Sequence, residues 1–390
     1  MQTLVFRLTL LWLLGNALRL SILAVPPVIP VLRGEFHLSG TEIGILTGLP
    51  IVLFAAAALV GSRLVALVGV VRAVVVGLLL TAIGSALRGG ASSVIELFAA
   101  TAVMSAGVAI SQPAMPALVG RWLPQNIALG TAVYTNGLLF GEILPVGLFP
   151  VLFPLVSESW RATFILWAVP IAAIAVLMLA FAPREAVTPA LVAGTWWPRW
   201  RLLDIVRLGL VFGATNALYF ASNAFIPGQL TEAGRPDLIS PALTALNLGQ
   251  LPASLLLIVF ARRLERKGWP FILAGVLSLA SIAIIVSTTG VSTVASAALL
   301  GFSAGGAFAL GLTLPPLLSA QGEVARVSAA MFTVSYSGAL VVSILSGAAW
   351  DLAGSARFAF LPIAISALPL LVLVPTIDFS RRPQSTPASQ

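Results

Sequence analysis

Twelve windows of this chain read as membrane-crossing helices, each nearly free of charged side chains. A run of about 20 apolar residues is enough to cross the hydrocarbon core of a bilayer as a helix. The windows fall at 8–32, 41–62, 72–89, 93–118, 127–153 and 160–182, then at 203–228, 239–261, 269–288, 291–317, 326–349 and 356–376. Charged residues make up 9% of the chain, against about 25% in a soluble domain. Hydrocarbon offers backbone groups no hydrogen bonds, so each must be satisfied within the protein. The expected fold is therefore an all-α integral membrane protein of twelve transmembrane helices.

Several kinds of chemistry are excluded or lack material. There is no cysteine and a single histidine, His37, so disulfides, thiolate chemistry, histidine metal clusters and Ser–His catalysis have little to work with. No glycine-rich phosphate loop is present, so direct ATP hydrolysis is unsupported. No enzyme activity, metal or cofactor is expected.

The net charge of +8 is read as loop arginine, with no nucleic-acid partner. With both termini cytoplasmic, fifteen of the 21 basic residues fall on the inner side and five, including Arg88, on the outer; only Arg19 belongs to neither. That bias sets the expected orientation. The first apolar run is too long for a cleavable signal and leads straight into a second.

The two halves repeat. "NAL" at 16–18 recurs at 216–218, "LP" at 49–50 recurs at 251–252, and "SAG" at 105–107 recurs at 303–305. "EIL" at 142–144 lines up with "SIL" at 343–345. Each match lies in the corresponding helix of its half, at offsets of 198 to 202. The expected organisation is a six-helix bundle over 1–182, a cytoplasmic linker over 183–202, a second six-helix bundle over 203–378 and a cytoplasmic tail over 379–390. The linker's Trp196, Trp197 and Trp200 beside arginines read as an interfacial anchor.

Twelve spans in a six-plus-six duplication resemble the major facilitator superfamily. Its Gly/Asp/Arg-rich signature follows helix two and is repeated after helix eight. Here the first copy is "GSRLVALVGVVR" (61–72), which keeps Gly61, Gly69 and Arg72 but lacks the aspartate. The second is "ARRLERKG" (261–268), with Glu265 in the acidic place. The resemblance implies that Arg72, Glu265 and Arg266 act in gating. "LSGTEIGILTGLP" (38–50), the intramembrane "LR" (18–19) and "PALVGRWLP" (116–124) resemble the cyanate and 2-nitroimidazole transporter branch. Glu142 departs from that branch. No arginine lies within helices two or eight, unlike the nitrate/nitrite porters of the superfamily.

Candidate site residues are the polar groups deep in apolar windows. Arg19 lies about eleven residues into the first window, roughly 16 Å along a helix and near the middle of a core about 30 Å thick. A guanidinium cannot lose its charge, and its fork can hydrogen-bond two oxygens of a small planar anion. Asn16 shares its face. In the second half the corresponding face carries Asn216, Tyr219 and Asn223. Gln112, Asn247 and Tyr336 are further candidates to line the site, with Asn247 and Gln250 three apart and able to face one cavity. For Arg19 the alternative is a helix-locking contact, and for the amides and Tyr219 it is interhelical packing.

Glu142 is the other deep charge. Burial favours the neutral form of a carboxyl, as proton coupling requires, whereas a nearby Arg19 would keep it ionised. It reads as a proton carrier, as the counter-ion of Arg19, or as part of a structural ion pair. The leading expectation is a monomeric secondary transporter of the cell membrane. It would move a small polar, anionic planar solute by alternating access with proton coupling, with lipids as its surroundings. Efflux of neutral or drug-like compounds, with Arg19 structural, is the alternative. A non-transporting membrane receptor is more remote.

Overall fold

A computed structural model describes residues 2–112, 114–182, 202–264, 266–318 and 324–379. The tryptophan-rich linker, Pro113, Glu265 and the tail lie outside the described residues. Among those described, the regular structure is helical throughout. Among the described residues, nine helices are long and apolar enough to cross a membrane, or ten if one bent pair counts as a single span. Helical elements cover all twelve expected windows.

Contacts divide the chain into two compact units. The first comprises Met1–Ser39 and Ile45–Val192; the second comprises Gly40–Gly44 and Ala193–Gln390. The first unit contains α1 (Gln2–Leu23), α2 (Ile29–Phe36) and most of α3 (Gly40–Val68). It continues with α4 (Val70–Gly89), α5 (Val94–Ser111), α6 (Ala114–Trp122), α7 (Ile127–Gly147), α8 (Phe149–Leu155) and α9 (Trp160–Phe181). Here α1 packs along α7, and α4 lies against both α5 and α9. The second unit contains α10 (Leu202–Glu232), α11 (Ile239–Leu248), α12 (Gln250–Leu264), α13 (Trp269–Ser287) and α14 (Val291–Leu318). It ends with α15 (Val324–Ala353), α16 (Phe360–Ile365) and α17 (Leu368–Val372). There α10 packs along α15, and α14 contacts α11, α12 and α13.

Several windows break where the local chemistry demands it. Pro26 and Pro27 start a short 3-10 turn between α1 and α2. The fifth window bends by 55° between α7 and α8, next to Pro150, which removes a backbone donor and crowds the preceding turn. The eighth is split at Gly249 into α11 and α12. The first signature copy, expected as a loop, is helical as far as Val68 and turns only at Gly69. That glycine has a φ of 87°, a conformation that side-chain-bearing residues avoid.

Start signals are local. Ser93 caps α5 by accepting from the Glu96 amide at 3.3 Å, while the Glu96 carboxylate accepts from the Ser92 amide at 2.7 Å. Ser159 caps α9 in the same way. In the turn between α10 and α11, Arg235 grips Asp237 with two hydrogen bonds, of 2.9 and 2.8 Å. Those bonds hold the Asp237 carboxyl below the usual carboxylate range.

Glycine sets the closest helix approaches. A β-carbon at Gly15 would overlap the Tyr134 carbonyl, one at Gly137 the Trp12 carbonyl, and one at Gly141 the Asn16 carbonyl. The α1–α7 seam is therefore backbone against backbone, as small residues permit in membranes. Gly77 and Gly107 do the same between α4 and α5. Gly137→Val should prevent the α1–α7 seam from closing, at about 1–3 kcal/mol for an overpacked contact. The expected outcome is a lower temperature of loss of the monodisperse peak when heated protein is run on fluorescence-detected size exclusion. Substitution at Gly338, where a β-carbon meets nothing within 4 Å, should leave it unchanged.

Candidate functional site

The seam between α1 and α7 carries the two deep charges. Arg19 Nε lies 3.3 Å from Glu142 Oε1. Relative exposures are 7% for Arg19, 5% for Glu142 and 3% for Asn16, so the pair is cut off from bulk water. The close approach at Gly141, whose added β-carbon would also crowd Arg19 Cβ, brings the two helices near enough for the pair to form. The guanidinium also lies over the Phe54 ring of α3, 5.6 Å from its centroid.

The pair is not saturated. Among the described residues, Arg19 Nε and Nη1 make no hydrogen bond, and Asn16 Oδ1, one turn away on α1, makes none either. The Asn16 amide donates to the Trp12 carbonyl at 3.0 Å, leaving its acceptor oxygen as the unmet half. A buried polar group without a partner costs about 1–3 kcal/mol, more when charged. Donors from Arg19 and an acceptor from Asn16 thus lie along one helix face, unspent. Gln112, at the break between α5 and α6, likewise has a buried Oε1 without a hydrogen bond.

The second unit treats its polar residues differently. The Tyr219 hydroxyl donates to Asn247 Oδ1. Asn247 donates to Asn223 Oδ1 at 3.1 Å and to the Leu243 carbonyl at 2.7 Å. Asn223 donates to the Tyr219 carbonyl at 3.0 Å. Asn216 donates to Ser335 Oγ at 2.8 Å, tying α10 to α15. The Tyr336 ring stacks on Phe332 at 5.5 Å. These candidates form an internal network joining α10 to α11 and α15.

Asn247 and Gln250, three apart in sequence, contact different helices. Gly249 ends α11 between them. Asn247 bonds to α10, while Gln250 packs where a β-carbon on Gly305 of α14 would sit. Of the gating candidates, Arg72 is exposed on the first turn of α4. Arg266 donates to the Leu317 carbonyl at 2.8 Å and the Phe379 carbonyl at 3.4 Å, closing the end of α14.

Sequence reasoning missed three carboxylates that close helix ends. Glu35 accepts from Trp160 Nε1 and Arg161 Nη2, both at 2.6 Å. Glu232 accepts from Trp350 Nε1 at 2.9 Å, Ser355 Oγ at 3.1 Å and the Ala356 amide at 2.7 Å. Glu35 fastens the end of α2 to the start of α9, and Glu232 fastens the end of α10 to the end of α15 and the turn that follows it. The repeat offset held the signal, because Glu35 and Glu232 are 197 residues apart and Arg161 and Arg357 are 196 apart. Asp351 accepts from the Gly40 amide at 2.6 Å, the Thr41 amide at 2.8 Å and the Thr41 hydroxyl at 2.6 Å. It caps the first turn of α3, the segment that groups with the second unit.

Arg88, counted above with the outer side, is fully enclosed. Its Nη2 donates to the Ser21 carbonyl at 2.6 Å and to the Ser21 hydroxyl, and its Cζ lies 4.4 Å from the Phe164 ring centroid.

A twelve-window helical chain with an unsaturated intramembrane cation has the character of a solute carrier, and comparison with known proteins agrees. The family model for the Major Facilitator Superfamily matches residues 11–342, and the chain belongs to that superfamily. It is 31% identical over 328 residues to the cyanate transport protein CynX of Escherichia coli (strain K12), covering 82% of this chain and 83% of that protein. It is 23% identical over 385 residues to the 2-nitroimidazole transporter of the same organism, covering 91% of each.

Among solved structures, a D-xylose-proton symporter superposes with a TM-score of 0.72 at 14% identity, covering 97% of this chain and 99% of that one. A peptide transporter POT in complex with sulfate gives 0.75 at 16% identity, covering 96% of each. At these identities the likeness is one of fold. The protein is a multi-pass membrane transporter and not an enzyme.

Asp351→Ala removes three charge-assisted hydrogen bonds at a helix start. A cap of this kind contributes about 0.5–2 kcal/mol. The expected outcome is a fall in thermal stability, partly restored in Asp351→Asn, read by tryptophan fluorescence on heating.

Proposed function

We propose that the protein carries a small planar anion or strongly polar solute across the cell membrane by alternating access, coupled to protons, with Arg19 as the binding residue. The observation that carries this reading is the Arg19 guanidinium, buried in apolar surroundings with unmet N–H donors beside a carboxylate. An isolated charge at that depth is costly, and a ligand oxygen on those donors would offset the cost. Two relatives are a cyanate transport protein and a 2-nitroimidazole transporter, and both solutes are compact and rich in acceptors. That chemistry suits a guanidinium fork.

In this mechanism the empty site rests as the Arg19–Glu142 pair. An arriving anion takes the guanidinium, and Asn16 supplies a polar contact beside it. Glu142, released in a low-dielectric pocket, then takes up a proton, so solute and proton enter the occluded state together. Tyr219, Asn216, Asn223, Asn247, Gln112 and Tyr336 complete the path, and Arg72, Glu265 and Arg266 act at the inner gate. Both termini face the cytoplasm, on the positive-inside bias.

The test is uptake of cyanate and of a nitroimidazole into proteoliposomes with a controlled pH difference. Arg19→Ala should lower saturable uptake about tenfold or more, with expression and monodispersity unchanged. Unaltered uptake would overturn the assignment. Glu142→Gln should retain exchange of solute but lose its stimulation by a proton gradient. If stimulation persists in Glu142→Gln, the carboxylate serves Arg19 as counter-ion only. Robust uptake of the nitroimidazole by Arg19→Ala would favour efflux of neutral compounds with a structural Arg19.

A further inference from the structure

In the second unit, α12, α13 and α14 enclose an apolar groove of about 260 Å³ lined by Leu256, Leu264, Trp269, Leu273, Phe302 and Gly306. Ser303 also reaches it, but its hydroxyl is engaged with Ser278 Oγ at 2.9 Å and the Leu300 carbonyl at 3.0 Å. The wall therefore offers hydrocarbon rather than hydrogen bonds, and the groove suits an alkyl chain. Leu256, Trp269 and Leu273 are exposed, so the groove opens on the outside of the unit, the surface that faces lipid in a membrane protein.

One end of the groove is basic. The chain there reads "ARRLERKGW" (261–269), and Arg263 and Lys267 are exposed. Leu256, Phe260 and Arg263 follow one stripe of α12 at i, i+4 and i+7 spacing, and the Arg263 guanidinium lies 6.0 Å from the Phe260 ring centroid. Arg263 thus lies two turns along the stripe that starts at the lining residue Leu256. Lys267 lies between the lining residues Leu264 and Trp269. Arg266 is engaged with the Leu317 and Phe379 carbonyls and contributes charge but not a ready donor. The acidic residues of this stretch are Glu265, within the same segment, and Asp378, next to Phe379, whose ring stacks on Phe271. Trp269, 54% exposed, sits between the basic end and the apolar wall, where membrane-interface tryptophans are found.

We propose that this groove is a binding site for an anionic phospholipid, one acyl chain lying between α12, α13 and α14 and the phosphate held by Arg263 and Lys267. An acyl chain gains little from leaving other acyl chains for an equally apolar wall, so selectivity comes from the headgroup. Two cations near the membrane surface favour an anionic over a zwitterionic lipid roughly tenfold or more. The inference rests on the membrane location of the helices and is independent of the transported solute.

The test uses the full chain, delipidated in detergent, titrated with phosphatidylglycerol or phosphatidylcholine and read by native mass spectrometry. The wild type should retain phosphatidylglycerol about tenfold more strongly. The double variant Arg263→Gln, Lys267→Gln alters exposed positions only and should bring the two lipids level. Gly306→Leu should lower retention of both while preserving the preference. Among the described residues a β-carbon at Gly306 meets only Ala253 Cβ, at 3.5 Å, so the added side chain has room to enter the groove. Equal retention by the wild type would overturn the proposal, as would a preference that survives the double variant or occupancy that ignores Gly306→Leu. A protein dimer abolished by Gly306→Leu with lipid retention unchanged would assign the groove to a second copy instead.

Discussion

In hydrocarbon, two helices gain almost nothing by hiding apolar side chains from their surroundings, because the surroundings are equally apolar. What joins them is close contact, and here that contact is made by backbone at glycine. Gly15, Gly137 and Gly141 bring α1 and α7 together so closely that any side chain would collide with a carbonyl. The Arg19–Glu142 pair depends on that seam, since a wider spacing would separate the charges in a medium that punishes separation. Packing and chemistry are therefore one arrangement: the glycines that hold the helices also hold the ion pair.

The two units use polar residues to different ends. In the second, Tyr219, Asn223 and Asn247 satisfy one another and join α10 to α11. In the first, Arg19 and Asn16 keep unmet hydrogen-bonding atoms in a buried position. A network that satisfies itself lowers the energy of one arrangement, whereas one left incomplete keeps donors and acceptors unspent. The repeat is preserved at the level of helix and offset, and it diverges where donors and acceptors are spent.

Much of the fold was legible because its strongest signal is hydropathy, which depends on composition over 20 residues rather than on any single contact. Arg19 and Glu142 stood out for the same reason, as charges in windows where charge is costly. Gly137 and Gly141 stand four apart, a spacing that permits a close seam but does not name the partner helix. Other features escaped because they are made by residues far apart in sequence. Glu35, Glu232 and Asp351 look like ordinary loop acids until their partners come within 2.6–3.1 Å. Asn247 and Gln250 contact α10 and α14 respectively, a difference that their spacing alone does not show. The helical extension to Val68 was missed because the family signature suggested a loop where no local residue ends the helix before Gly69.

The glycine seams also bear on how such a chain can change over generations. Seam positions admit no side chain, whereas Gly34, Gly120, Gly290 and Gly338 have nothing within 4 Å of an added β-carbon. Mutational freedom is thus split into two classes of the same residue, one frozen by carbonyl contact and one open to drift. On the proposed role of Arg19, new solute preferences would arise at polar positions beside a seam, with the helix frame that carries them held constant.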